Sequence, residues 1–440
     1  MSAPLSARGA VDGTRVDDAV DALAPELVEF ARSLVRIPSV SGNEQAAQHA
    51  IAAQYDAFGL ETEIVPSVRE ELESHPAFSD DAIPFVDRLN VIGRWRGRGG
   101  GRSLIVNGHM DVVPPGDAAK WTRDPWGGEI EDDRLYGRGA CDMKSGLASA
   151  AFAVRALQSV GVELRGDVML QSVIGEETGG VGTLTTIVRG YRADGCIIVE
   201  PMDLRIAPVQ TGALTFRLTV HGKGAHACMK PHGVSAITEF MPVMAALEQL
   251  NTDRHQRFRD TLFDDPQNVA SLSVGTVRAG DWPSTVPDML VAEGRLGVFP
   301  NESTDEARAS FVAAVNAAAA RRPWLVEHPP VVEWFEGQFE TGATPLDAPI
   351  LERLSCSHEA VFGVPPSVFG VPCGTDLRLF TRHANVPTVL YGPGNVIHAH
   401  AADEFGSGLT IHEANSENLS ALICGLGFGR ANRANGRRPR

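Results

Sequence analysis

Ser103-Leu-Ile-Val-Asn-Gly-His-Met-Asp111 is the stretch around which the rest of the chain is organised. Leu104, Ile105 and Val106 form a short apolar run of strand type, which Asn107 and Gly108 bring to an end. His109 and Asp111 follow two positions apart, and in extended backbone such residues point the same way. An imidazole and a carboxylate on one side of a strand end can share a site, one binding a cation and the other fixing the ring. Three further stretches repeat the layout. Val168 to Ile174 runs into Gly175-Glu176-Glu177, Ile197 to Val199 runs into Glu200, and Thr388 to Leu390 runs into a Tyr-Gly-Pro-Gly turn with His400 soon after. Each run delivers an acid or a histidine at its C-terminal end, and that is the edge of an α/β sheet where sites are built. A further acid, Asp142, stands just before a helical pattern.

Carboxylates gathered in one place repel, and burying them unpaired is costly. Cations resolve the conflict. His109, Asp142, Glu177, Glu200 and His400 make a mixed nitrogen and oxygen donor set suited to zinc or a similar divalent ion. With two ions, one carboxylate must bridge and one acid is left over for proton transfer. Taken singly the pieces are bland: a His-x-Asp pair serves as a hydrogen-bonding pair, and Glu-Glu as a solvated helix start. Five pieces in matching settings point to one site.

Composition sets outer bounds. The 440 residues allow two or three domains, and 43% hydrophobic content is ample for buried cores. The net charge of −16, from 39 basic and 55 acidic residues, disfavours nucleic acid as the main partner. Six scattered cysteines without a CxxC pair suit a reduced, cytoplasmic protein. The first 16 residues lack the apolar core of a signal peptide, and no run approaches the ~20 apolar residues of a membrane span. The arginine-rich segment from Arg430 to Arg440 reads as a disordered tail.

Along the chain, helical patterns over 18–35, 43–58, 145–160 and 181–188 alternate with strand patterns. Residues 67–86 are polar and proline-punctuated and read as a long loop. The glycine-rich segment 97–102 lies between two strands and reads as a turn rather than a phosphate cradle. Segments 121–128 and 135–139 read as loops. From about residue 206 the order becomes strand, helix, strand, strand, helix, strand, the ferredoxin-like unit. The expected fold is α/β: a mixed, mostly parallel sheet flanked by helices, with an inserted ferredoxin-like α+β lid or dimerisation domain. The expected boundaries are 1–205 and 336–440 for the catalytic domain and 206–335 for the insertion.

Gly-His-Met-Asp-Val-Val-Pro (108–114), Gly-Arg-Gly-Ala-Cys-Asp-Met-Lys (137–144), Gly-Glu-Glu-Thr-Gly-Gly (175–180) and His-Ala-Ala-Asp-Glu (400–404) together resemble the zinc metallopeptidase and deacylase family of acetylornithine deacetylase, succinyl-diaminopimelate desuccinylase, aminoacylase and glutamate carboxypeptidase. The resemblance spans about residues 20 to 425. It implies His109 and Glu200 as ligands of one zinc, Glu177 and His400 as ligands of the second, and Asp142 as the bridge. It implies Asp111 as the acid that orients His109, and Glu176 as general base. His400 is preferred over His398 by the family's His-x-x-Asp/Asn-Glu spacing. A cis peptide is implied after Asp142. His226, in Gly-Lys-Gly-Ala-His-Ala (222–227), resembles the histidine that contacts the substrate carbonyl, often across a dimer. Arg378, in Gly-Thr-Asp-Leu-Arg (374–378), resembles an arginine serving the substrate carboxylate, for which its bidentate fork is suited; the plain alternative is a salt bridge to Asp376 or another acid. Two segments depart from the family pattern, Cys228-Met-Lys230 after His226, and Ser284-Thr285 before the Val-Pro turn.

The reaction so implied is hydrolysis of an amide with two zinc ions, cobalt or manganese being substitutes. The substrate is a small N-acyl amino acid or related amine, with a short peptide as the alternative. The partner is a second copy of the chain, with no nucleic acid and no membrane. A dipeptidase or carboxypeptidase of the same family, and a catalytically inactive metal-dependent binding protein, are the competing readings.

Overall fold

The computed structural model describes residues 13–406. The segment 407–440, which includes the basic C-terminus and Cys424, lies outside the described residues.

The apolar runs of the first paragraph become the middle of a nine-stranded sheet. Its order is Glu61–Pro66, Leu89–Trp95, Val168–Val173, Leu104–His109, Gly195–Ile198, Thr388–Leu390, Ile206–Gln210 and Gly342–Ala343, with Val368–Val371 also pairing with Ile206–Gln210. The four central strands are mutually parallel. The strands beyond them on either side join antiparallel neighbours, except Val368–Val371, which runs parallel to Ile206–Gln210. The centre is apolar on both faces because helices cover both, and every residue of Leu104–His109 and of Val168–Val173 is buried. Helices Gly13–Val35, Gln45–Ala57 and Ser145–Ser159 share one core with the sheet, where Phe152 meets Phe58 edge-on at 5.1 Å between ring centroids.

Register explains why the chemistry collects at one edge. His109 stands opposite Val173, Asn107 opposite Ile198, and Leu390 opposite Ile198. Four parallel strands thus end level, and the residues that follow each of them emerge side by side.

A second sheet is antiparallel, in the order Leu272–Ala279, Met289–Val298, Gly212–His221, Val331–Trp334. Strand Gly212–His221 alternates strictly: Leu214, Phe216, Leu218 and Val220 face helices Ala236–Arg257 and Thr304–Ala319, while Thr215, Arg217 and Thr219 face away. Ser303 and Glu306 form a reciprocal capping box that starts the second of these helices. The order of elements is the ferredoxin-like one. Strand Ile206–Gln210 belongs to the large sheet, and the second sheet begins at Gly212.

Two segments differ from the loop expectation. Residues 69–72 form a single helical turn inside the long 67–86 loop. Arg134–Tyr136 is a strand that pairs with Glu129–Glu131 and with Phe405–Gly406. The first of these pairings is a local hairpin turning at Asp132-Asp133, and only the second comes from far along the chain. Among the described residues no helix is long and apolar enough to cross a membrane, and five cysteines are unpaired.

Candidate active site

The strand ends bring His109, Asp142, Glu176, Glu177, Glu200 and His400 together. The two oxygens of Asp142 face different imidazoles: Oδ1 lies 3.0 Å from His109 Nε2 and Oδ2 lies 3.5 Å from His400 Nε2. His109 Nε2 is also 3.8 Å from Glu200, and His400 Nε2 is 3.0 Å from Glu177. Ligand atoms of His109, Glu176 and Glu200 lie close enough to hold one ion, as do those of His109, Asp142 and Glu177. The Asp142–Met143 peptide is cis. His398 turns away and packs its ring on Phe405 at 4.2 Å.

The ring of His109 is fixed by Asp111, but through the main chain. Nδ1 lies 2.8 Å from the Asp111 carbonyl oxygen and 3.7 Å from its carboxylate. A carbonyl only accepts, so Nδ1 carries the hydrogen and Nε2 faces the acids. The Asp111 carboxylate does other work. It accepts from the amides of Glu176 and Glu177, each at 3.2 Å, and from the Ser41 hydroxyl at 3.1 Å. It thereby anchors the turn that presents both glutamates. Gly175 opens that turn at φ +65°, and a Cβ there would lie 2.5 Å from the Arg88 guanidinium. Arg88 is itself paired with Asp81 at 2.7 Å, and Asp81 accepts from Thr178 in the same turn at 3.0 Å. The 67–86 loop thus grips the turn from its other side, a role no local pattern announced.

Electrostatics describe a pocket built for positive charge. Burial raises the carboxyls of Glu176, Glu177 and Glu200 above their ordinary range, and neighbouring acids add to this. Asp142 goes the other way: burial opposes its charge, but hydrogen bonds to His109 and His400 outweigh that and hold it low. His400 is raised to about 10 by Asp142 and Glu177. Burial opposes charge on His109 too, yet its acidic neighbours lift it well above the usual imidazole value. Among the described residues, no lysine or arginine forms an ion pair with these four acids; only the two imidazoles do. Acids so buried and so poorly neutralised by the protein itself fit divalent cations.

Two expected residues stand outside the ligand cluster. Arg378 is completely buried. It donates to the Gly179 carbonyl at 2.8 Å, stacks over Phe339 at 5.0 Å, and lies 3.9 Å from Glu340. It therefore braces the glutamate turn, while its Nε and Nη1 find no hydrogen-bond partner among the described residues. Glu340 forms the ion pair, and the charge of Asp376 acts on the guanidinium as well. His226 is exposed, on a short strand pair with Thr285–Val286, and makes no hydrogen bond or ion pair with the six clustered residues. Its Nδ1 accepts from the Cys228 amide at 3.2 Å, so Nε2 carries the hydrogen and points outward as a donor. The pairing of His226 with Thr285 also places the two segments that depart from the family pattern side by side.

Comparison with known proteins agrees with this geometry. The description "Peptidase family M20/M25/M40" matches residues 105–422. The chain is 31% identical over 334 residues to the N-formyl-4-amino-5-aminomethyl-2-methylpyrimidine deformylase of Bacillus subtilis, covering 72% of this chain and 78% of that one. It is 34% identical over 264 residues to the succinyl-diaminopimelate desuccinylase of Methylocella silvestris, covering 58% and 63%. Its fold is shared with an M20 family metallo-carboxypeptidase from Sulfolobus solfataricus, with a TM-score of 0.71 at 17% identity over 91% of this chain and 98% of that one. With a mixed sheet that delivers its acids and histidines to one edge, and a family match across most of its length, the chain belongs to peptidase family M20/M25/M40.

Proposed function

We propose that the protein is a two-zinc amide hydrolase that removes an acyl group from an N-acyl amine or N-acyl amino acid. The observation that carries this reading is Asp142, whose two oxygens reach towards two different histidines. In this reading His109 and Glu200 hold one ion, Glu177 and His400 hold the other, and Asp142 is shared. The mixed imidazole and carboxylate set suits zinc, with cobalt or manganese as substitutes. Ions held there would polarise the amide carbonyl and lower the pKa of a bound water.

The residues of the chain do the rest. The Glu176 carboxylate accepts no hydrogen bond among the described residues, so it is free to take a proton from the attacking water and pass it to the departing amine. Burial keeps it basic enough for this. Asp111 and Arg378 hold its turn in place. The Nε2–H of His226 is a ready donor for the developing oxyanion. Its distance from the cluster is bridged if a second copy presents it. Leu272–Ala279 is an edge strand of the second sheet, and Trp282, Met229 and Met289 stand exposed nearby, with Trp282 69% exposed. Open strand edges and grouped apolar side chains favour pairing with a second chain, and a homodimer of a cytoplasmic enzyme is the proposed state.

The relatives named above are a deformylase and a desuccinylase. The direct test is a panel of N-formyl, N-succinyl and N-acetyl substrates beside dipeptides, with zinc-loaded protein. Cleavage of an N-acyl substrate is expected. Cleavage of dipeptides alone would make the protein a peptidase, and no cleavage at full metal occupancy would make it a binding protein.

A further inference from the structure

The loop that carries Asp142 and the segment that carries His400 are far apart in sequence. One side chain that is neither expected ligand nor base ties them together. Glu404 lies four positions after His400 and is buried. Its Oε1 accepts from three amides of the Asp142 loop: Gly139 at 3.0 Å, Cys141 at 3.0 Å and Asp142 itself at 3.1 Å. Its Oε2 accepts from the buried guanidinium of Arg138. The main chain repeats the connection, with the Gly137 amide donating to the Glu404 carbonyl at 2.9 Å. Asp403, beside it, accepts from the Thr122 amide and hydroxyl at 2.8 and 2.9 Å, which fixes the same segment to a third loop.

Three amides converging on one oxygen need the backbone to curl, and Gly139 supplies this at φ +81°, where a Cβ would lie 2.5 Å from Val112. With four donors on its two oxygens, the Glu404 carboxylate is committed to the protein and is not available as a ligand. What it does control is spacing. Asp142 and His400 hang from opposite ends of this clamp, with 3.5 Å between Asp142 Oδ2 and His400 Nε2.

We propose that Glu404 is a positioning residue for the metal centre: by clamping the Gly139–Asp142 backbone to the His400 segment, it keeps Asp142 placed between the two ions. The inference rests on the two-metal reading given above.

The test needs no substrate. Metal-free wild type, Glu404→Gln and Glu404→Ala are titrated with zinc against a chelating indicator, and their urea unfolding is followed in parallel without metal. Glutamine keeps an acceptor oxygen for the amides but turns its NH2 towards Arg138, setting donor against donor. Wild type should take up two ions per chain. Glu404→Gln should bind zinc roughly 10- to 100-fold more weakly, the loss usual for groups that support metal ligands. Arg138→Met added to Glu404→Gln removes the opposed donors and should recover part of that loss. If Glu404→Ala does not fold, the glutamine pair decides. Zinc affinity equal to wild type in a folded Glu404→Gln, with only a lowered urea midpoint, would reduce Glu404 to a stabilising residue and overturn the inference alone. Failure of wild type to take up two ions would overturn the two-metal reading itself.

Discussion

Asp111→Asn separates two ways in which this acid could serve the site. If the carboxylate oriented His109, losing its charge would weaken the ion held by His109. The geometry predicts otherwise, because the ring leans on the Asp111 carbonyl at 2.8 Å, and asparagine keeps that carbonyl. What asparagine loses is an acceptor. The carboxylate now serves the Glu176 amide with one oxygen and the Glu177 amide with the other, each at 3.2 Å. Whichever way the new amide turns, its NH2 faces one of these N–H groups and leaves it unsatisfied. A buried unsatisfied donor costs about 1–3 kcal/mol, so the turn carrying Glu177 should loosen by about that much. If the whole cost falls on the second ion, its affinity drops between roughly 5- and 150-fold. Calorimetric zinc titration of the metal-free protein resolves this, with His109→Ala and Glu177→Gln as references that assign each binding step. The expected result is a weakened Glu177-side step and a nearly unchanged His109-side step. A lost His109-side step with the other intact would refute the reasoning and return orientation of the ring to the carboxylate.

Glu176→Gln should keep both ions and lose ~100- to 10,000-fold in kcat, whereas Glu177→Gln should lose the second ion; zinc content that falls in the first and not in the second would exchange their roles. His226→Ala should lower kcat roughly 100-fold or more with zinc content unchanged, and mixing it with Glu176→Gln chains should restore some activity if the histidine acts on a neighbouring copy. No recovery despite demonstrated subunit exchange would place its action within its own chain. Away from the metal centre, burial holds the His358 imidazole below its usual pKa, beside the Tyr391 hydroxyl at 3.0 Å. The unfolded chain then binds the extra proton first, so the stability from this group is present above about pH 6.5 and lost as pH falls; urea midpoints of wild type and His358→Gln should converge with acidification, and a constant gap from pH 7.5 to 5 would count against it.

The centre of the fold was legible because it is local. Leu104–His109 and its three parallel companions are largely apolar runs, and three of them carry an acid or histidine at or within a few residues of their end, while His400 follows Leu390 after a longer turn. The second sheet was legible through the apolar and polar alternation in 214–220 and the order of strand and helix patterns that follows. What stayed hidden depends on distant contacts. The hairpin of Glu129–Glu131 and Arg134–Tyr136 gains its third strand from Phe405–Gly406, far along the chain. The expected insertion begins at 206, yet Ile206–Gln210 pairs with three strands of the large sheet. The burial of Arg378 could not be read from its motif, since arginine is rarely buried and the Phe339 face and Gly179 carbonyl that receive it come from other segments. Asp81 likewise looked like loop polarity until its partners Arg88 and Thr178 were placed.

The claim on which everything else depends is that Asp142 is shared between two ions needed for amide hydrolysis. Metal-free protein should be reconstituted stepwise with zinc while hydrolysis of an N-acyl substrate is followed, for wild type and for Asp142→Ala. Wild type should bind two ions per chain and reach full activity only as the second is bound, and Asp142→Ala should bind at least one ion fewer and stay inactive. Full activity in demonstrably metal-free protein, or two tightly bound ions in Asp142→Ala, would contradict the account.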